Sequence, residues 1–138
     1  MNRHQRRKQQ KEQKIVQPFH QELLEIIKIH SNQNYELAEK EYIKLLNKIP
    51  NDYETVRHLG ILYFDTQRME QAYNCFQKAI KANPKRCEAY NNLGNAMRGL
   101  NKQSEALSNL KQAIKIKPNY AEAFYNLGGA HQQFGNKK

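Results

Sequence analysis

Five histidines, His4, His20, His30, His58 and His131, are the residues best suited to metal binding or proton transfer, yet they share no metal-ligand spacing. The two cysteines, Cys75 and Cys87, stand twelve apart with no cysteine or histidine spaced to complete a zinc site, so both read as reduced helix residues. Ser31, Ser104 and Ser108 lie in no nucleophile elbow, and the glycines occur singly rather than in a phosphate-cradling loop. Acid-rich stretches such as 36–41 read as solvated helix faces. No catalytic residue, metal site or cofactor is therefore expected.

Charge offers a second kind of chemistry. Residues 1–18 hold six basic side chains, Arg3, Arg6, Arg7, Lys8, Lys11 and Lys14, against one glutamate, which is half of the net charge of +10. A basic arm gains affinity for nucleic acid by releasing counterions from phosphates. Here no aromatic precedes Phe19, so nothing could stack on bases. A solvated tail or frayed helix is the expectation, with a basic-arm nucleic-acid binder as an alternative. The remaining excess is diffuse. The mean hydropathy of −0.99 and the lack of a long apolar run exclude a helical membrane span. The leader also lacks the apolar segment of a secretory signal, and a cytoplasmic protein is expected.

The elements that position any site follow from a repeat. Pro50, Pro84 and Pro118 fall 34 apart, as do Leu59, Leu93 and Leu127, Gly60, Gly94 and Gly128, and Ala38, Ala72 and Ala106. Ala79 and Ala113 share the spacing, and Tyr42, Phe76 and Leu110 form a large apolar column. Within one period, Val56, Leu59, Gly60 and Tyr63 recur at helical spacing, then Ala72, Phe76, Ala79 and Ile80 do the same. Asn83-Pro84 ends the second helix, because proline disfavours the helical conformation of the residue before it. The block that follows repeats the pattern with Tyr90, Leu93, Gly94 and Met97, then Ala106, Leu110, Ala113 and Ile114. No alternation typical of strands occurs, so the fold is all-α. A glycine inside a helix costs about 1 kcal/mol relative to alanine. Its recurrence implies a close helix crossing.

The Leu-Gly, Tyr, Ala, Phe, Ala and Pro columns at these offsets resemble the tetratricopeptide repeat. The resemblance covers residues 20–138 and implies a right-handed α-solenoid of antiparallel helix hairpins. Residues 1–18 form the basic tail, 19–52 a degenerate repeat, 53–86 and 87–120 two repeats, and 121–138 a half repeat. In the degenerate block, Leu23, Ile26, Ile27 and His30 fit only if one residue is missing from the turn. The half repeat reads as a first helix followed by a turn at Gly135–Lys138, as in a piece of a longer protein, with His131 replacing a core tyrosine.

In this family the first helix of each pair lines a concave groove. The resemblance places Arg57, His58, Asn91, Asn92, Asn95, Tyr125 and Asn126 in that groove. An asparagine both donates and accepts, so such a column can hold a peptide backbone irrespective of its sequence. The segments around Asn92 and Asn126 are most similar to the repeats of O-linked N-acetylglucosamine transferases, where an asparagine ladder grips peptides. A second family mode, capture of a C-terminal carboxylate, is opposed by the acidic column Glu54, Glu88 and Glu122. The implied function is a protein-interaction module that binds a peptide or partner segment and is not itself an enzyme. The alternative is the targeting segment of a longer glycosyl- or sulfotransferase.

Overall fold

The computed structural model describes residues 1–135, the side chains of residues 11–18 excepted. Seven α-helices run through them: α1 Arg3–Ser31, α2 Tyr35–Lys48, α3 Tyr53–Asp65, α4 Met69–Ala82, α5 Cys87–Gly99, α6 Gln103–Ile116 and α7 Ala121–Gly135. No described helix is long and apolar enough to cross a membrane. The chain divides into two compact units, residues 1–50 and 51–138. The first is the α1–α2 hairpin, and in the second each of α3 to α7 packs on the next helix in sequence.

Each hairpin turns in the same way, for a reason the repeat columns do not show. Gln33, Gln67 and Asn101 stand one period apart and all have positive φ, at 64°, 64° and 59°. After α3, the Gln67 N–H donates to the Phe64 carbonyl at 3.1 Å and the Arg68 N–H to the Tyr63 carbonyl at 2.7 Å. This is the paired bonding of a Schellman cap, which satisfies two carbonyls left open at the helix end. The same pair recurs after α1 (Gln33 to His30, Asn34 to Ile29) and after α5 (Asn101 to Arg98, Lys102 to Met97). The second helices α2, α4 and α6 then end two residues before Pro50, Pro84 and Pro118, as expected from the bar that proline sets on a helical residue before it. At the start of α3 the Asp52 carboxylate caps the helix, accepting from the Thr55 N–H at 3.1 Å and from the Thr55 hydroxyl at 2.7 Å.

The recurring small residues sit at helix crossings in the second unit. A Cβ on Gly60 would lie 2.6 Å from Phe76 Cε1, and one on Gly94 would lie 2.6 Å from Leu110 Cγ. Ala72 and Ala106 are fully buried, as are Ala79, Ala113, Leu110 and, within 1%, Phe76. Cys87, Ala113 and Ala123 form a further buried cluster, against which Tyr90, Ile114, Ile116 and Tyr120 pack. In the first unit Ala38, Tyr42 and Leu45 are fully buried, and the Tyr42 hydroxyl lies 3.0 Å from Nδ1 of the buried His30.

Four expectations are corrected. No residue is missing from the first turn, since Gln33 keeps the period with Gln67 and α2 keeps it with α4. The buried face of α1, carried by Leu23, Ile26 and His30, is instead rotated by one residue relative to that of α3. His131 is exposed rather than in the core, on a helix where a Cβ on Gly128 would meet nothing within 4 Å. Gly135 still belongs to α7 rather than opening a turn, and Asn136, Lys137 and Lys138 lie outside the described residues. The boundary expected after residue 18 falls inside α1, whose N-terminal Arg3, Arg6, Arg7 and Lys8 are exposed. Lys11 and Lys14 are among the side chains outside the description.

Two stability measurements check this account. Gly94→Ala should cost about 1–3 kcal/mol through overpacking against Leu110. Gly128→Ala should leave stability unchanged or raise it by up to about 1 kcal/mol through helix propensity. Urea unfolding of both variants compares them directly, and equal losses would contradict the crossing. Gln67→Gly should raise stability by about 1 kcal/mol by relieving the left-handed backbone, read as a higher melting temperature.

Candidate peptide-binding face

Helices α3, α5 and α7 lie side by side, each touching the next. Four of the polar bonds between them share a step of 35 residues. Arg57 Nη1 donates to Asn92 Oδ1 at 3.1 Å, and Asn126 Nδ2 donates to Asn91 Oδ1 at 2.8 Å. Arg98 Nε donates to Gln133 Oε1 at 3.2 Å, and Gln133 Nε2 returns a bond to the Arg98 carbonyl at 3.1 Å. A helix residue is thus joined to the one a full period and one position later. This offset is the lateral displacement between successive hairpins.

These bonds sort the expected site residues. Asn91 is fully buried and Asn126 is 7% exposed, so their amides lock α5 to α7 and Asn91 offers no surface to a ligand. The expectation for Asn91 is therefore corrected: its side chain faces the next helix rather than open space, and its Nδ2 is buried without a hydrogen-bond partner. Arg57 and His58 are largely buried within an ionic cluster. Asn92 and Asn95 are half-buried and line cavities, and Tyr125 is 82% exposed.

The ionic cluster is centred on Glu54. Its Oε2 lies 3.1 Å from Arg57 Nη2 and 3.4 Å from His58 Nε2, and its Oε1 lies 3.0 Å from Arg86 Nη2. The hydrogen bond from His58, with those of Arg57 and the nearby Arg86 charge, outweighs burial and holds the Glu54 carboxyl down at about 2. Arg86 also pairs with Glu88 at 3.1 Å and stacks over the Tyr53 ring, 4.3 Å from its centroid. The Tyr53 hydroxyl accepts from the Ala89 N–H at 2.9 Å, and burial pushes its pKa up to about 12. Two of the acidic column residues, Glu54 and Glu88, are thus neutralised at the start of the face. Burial likewise pushes the Cys75 thiol up to about 11 and raises Cys87, which leaves both protonated and poorly nucleophilic.

Further along the same face, three cavities follow one another. The first, of about 230 Å³, is lined by Ile61, Phe64, Asp65, Asn92, Asn95 and Glu122, among others. The next, of about 490 Å³, shares Phe64 and Asn95 with it and adds Arg98, Gly99 and Gln133. The third, of about 650 Å³, shares Arg98 and Gln133 and adds Phe124, Tyr125, Gly128, Gly129 and Gln132. Shared walls make these a single trough. Phe64, Arg98 and Gln133 were not among the expected residues. They lie one turn beyond the column chosen, and extending the helical spacing from Asn95 by three residues reaches Arg98.

A family model described as the TPR repeat matches residues 60–100 and 95–135, which together span more than half of the chain. The chain belongs to the TPR repeat family. Among solved structures it is similar to MamA, at 30% identity over 78% of this chain with a TM-score of 0.71, and it spans 63% of that MamA chain. It is also similar to the first TPR of Spaghetti (RPAP3) bound to the HSP90 peptide SRMEEVD, at 22% identity over 86% of this chain and 94% of that one, with a TM-score of 0.79. The Thermobaculum terrenum O-GlcNAc transferase is similar at 19% identity over 84% of this chain but only 22% of that one, with a TM-score of 0.79. At those two identities the likeness is one of fold alone. No curated protein matches the chain in sequence.

The charge cluster yields a pH prediction. Because folding lowers the Glu54 pKa, its stabilising effect is whole above the ordinary value of 4.5 and fades as pH falls towards about 2. Glu54→Gln should cost about 1–2 kcal/mol at neutral pH and remove that share of the acid sensitivity. Urea midpoints of both proteins between pH 7 and pH 3 should converge on acidification, and a constant gap would contradict it.

Proposed function

We propose that the α3/α5/α7 face of this TPR array binds an extended segment of another protein, and that binding rather than catalysis is what the chain does. The observation that carries this reading is the continuous trough, whose three cavities share Phe64, Asn95, Arg98 and Gln133. Its half-buried amides, Asn92 and Asn95, have the mixed donor and acceptor character that pairs with a peptide backbone. Phe64 and Tyr125 supply apolar surface for side chains. The peptide seated on the similar Spaghetti TPR domain supports the same mode of use.

In this reading residues 53–86, 87–120 and 121–138 are the repeats that build the face, 19–52 is a degenerate repeat, and 1–18 is a basic N-terminal segment. Arg57 and His58 act mainly on Glu54. Asn92, Asn95 and Tyr125 are the contact residues, and Asn126 acts by holding α7 against α5.

A peptide array probed with the full chain, followed by fluorescence anisotropy on its best binders, tests this. Asn92→Ala with Asn95→Ala should weaken those binders about tenfold, the effect of losing one or two net hydrogen bonds. Lys78→Ala with Lys111→Ala, on α4 and α6, should leave them unchanged. Binding lost in the lysine variant but kept in the asparagine variant would sink the proposal.

A further inference from the structure

Three arginines stand on or beside the α3/α5/α7 face, and they differ in what balances their charge. Arg57 is paired with Glu54, and Arg86 with both Glu54 and Glu88. Arg98 has no carboxylate among the described residues. Among the described residues its guanidinium is held by neutral oxygens: Gln133 Oε1 at 3.2 Å, Asn95 Oδ1 at 3.5 Å and the Asn126 carbonyl at 3.5 Å. It lies flat over Gly129, where a Cβ would come within 2.8 Å of Nη2 and 3.0 Å of Nη1. Among the described residues no hydrogen bond engages Nη2, and the side chain forms part of the wall of both larger cavities.

A partly buried cation is costly unless an anion or good hydrogen bonds compensate it. Here the neighbours orient the guanidinium without neutralising it. Fixed in position, with an unengaged nitrogen towards the trough, it is pre-organised for a charge-assisted bond to a planar carboxylate. Aromatic surface flanks it on both sides, Phe64 in one cavity and Phe124 with Tyr125 in the other. The acidic lining, Asp65 and Glu122, lies in the smallest of the three cavities, whose wall does not include Arg98.

We propose that Arg98 is the anchor of this trough and selects a partner segment carrying a carboxylate next to an aromatic or large aliphatic side chain. This rests on the trough being the binding face and adds the chemistry of what it takes. The carboxylate pairs with the guanidinium, and the apolar neighbour packs on Phe64 or Tyr125. Gly129 acts as a positioning residue, leaving room for the guanidinium to lie across α7.

The test uses the full chain and N-terminally fluorescein-labelled peptides of an alanine, leucine and phenylalanine background. Glu, Gln or Lys is placed at each position in turn, and every peptide is made both as free acid and as C-terminal amide. Wild type should bind the best Glu peptide about tenfold more tightly than its Gln counterpart, with the preference shrinking as salt rises. Arg98→Gln should abolish that preference, with an unchanged circular-dichroism spectrum and cooperative melting showing that the variant is folded. Arg98→Lys should keep part of it, and Gly129→Ala should reduce it by displacing the guanidinium. Dependence on the free acid alone assigns the anchored group to a chain terminus, and persistence in the amides assigns it to a side chain. Binding without any Glu preference, or a preference that survives Arg98→Gln, overturns the Arg98 assignment and leaves the trough standing. Absence of binding by every peptide overturns both.

Discussion

Everything on the α3/α5/α7 face depends on how closely two helices cross at Gly60 and at Gly94. The ring of Phe76 and the branch of Leu110 occupy the space that a Cβ would need, with 2.6 Å separating the nearest atoms from that position. Such contact seats each hairpin's second helix hard against its first. Interiors pack near crystal density, so a methyl group inserted there has to be accommodated by backbone or ring movement. The Schellman turns reinforce the arrangement by giving each hairpin a link of the same length and conformation.

With hairpin geometry set, the placement of α3, α5 and α7 follows. Most of their polar bonds join residues one period and one position apart, a displacement repeated from α3 to α5 and from α5 to α7. The displacement puts Asn92 under Arg57, Asn126 under Asn91 and Gln133 beside Arg98. Some polar groups are consumed in holding the helices together, and the rest are left facing the trough. The ionic cluster around Glu54 closes one end of this face, where opposite charges compensate each other. Arg98 lies where they do not.

The fold was legible because packing in a repeat writes itself into columns. Leu59, Gly60, Ala72, Phe76 and their counterparts recur because each makes the same contact in every hairpin, and the structure puts them in the core or at the crossings. The site was legible only in part. Asn91 and Asn92 are chemically identical neighbours on one helix, and a rotation of one residue sends the first into the α5–α7 contact and leaves the second at the trough. That distinction depends on the offset between hairpins, which no single repeat encodes. Arg98 was missed for a related reason: its importance lies in the absence of a counter-charge, which appears only once its neighbours are placed. The left-handed turn residues escaped notice because Gln33 and Gln67 are not residue types that signal positive φ.

The claim that the α3/α5/α7 face is the binding surface is tested most directly by mapping amide shifts of the isotopically labelled chain on titration with its best array peptide. The account predicts that the largest changes fall on α5 and α7, around Asn92, Asn95, Arg98 and Gly129, with α4 and α6 perturbed little. Changes centred on the outer residues of α4 and α6, with the trough silent, would contradict it.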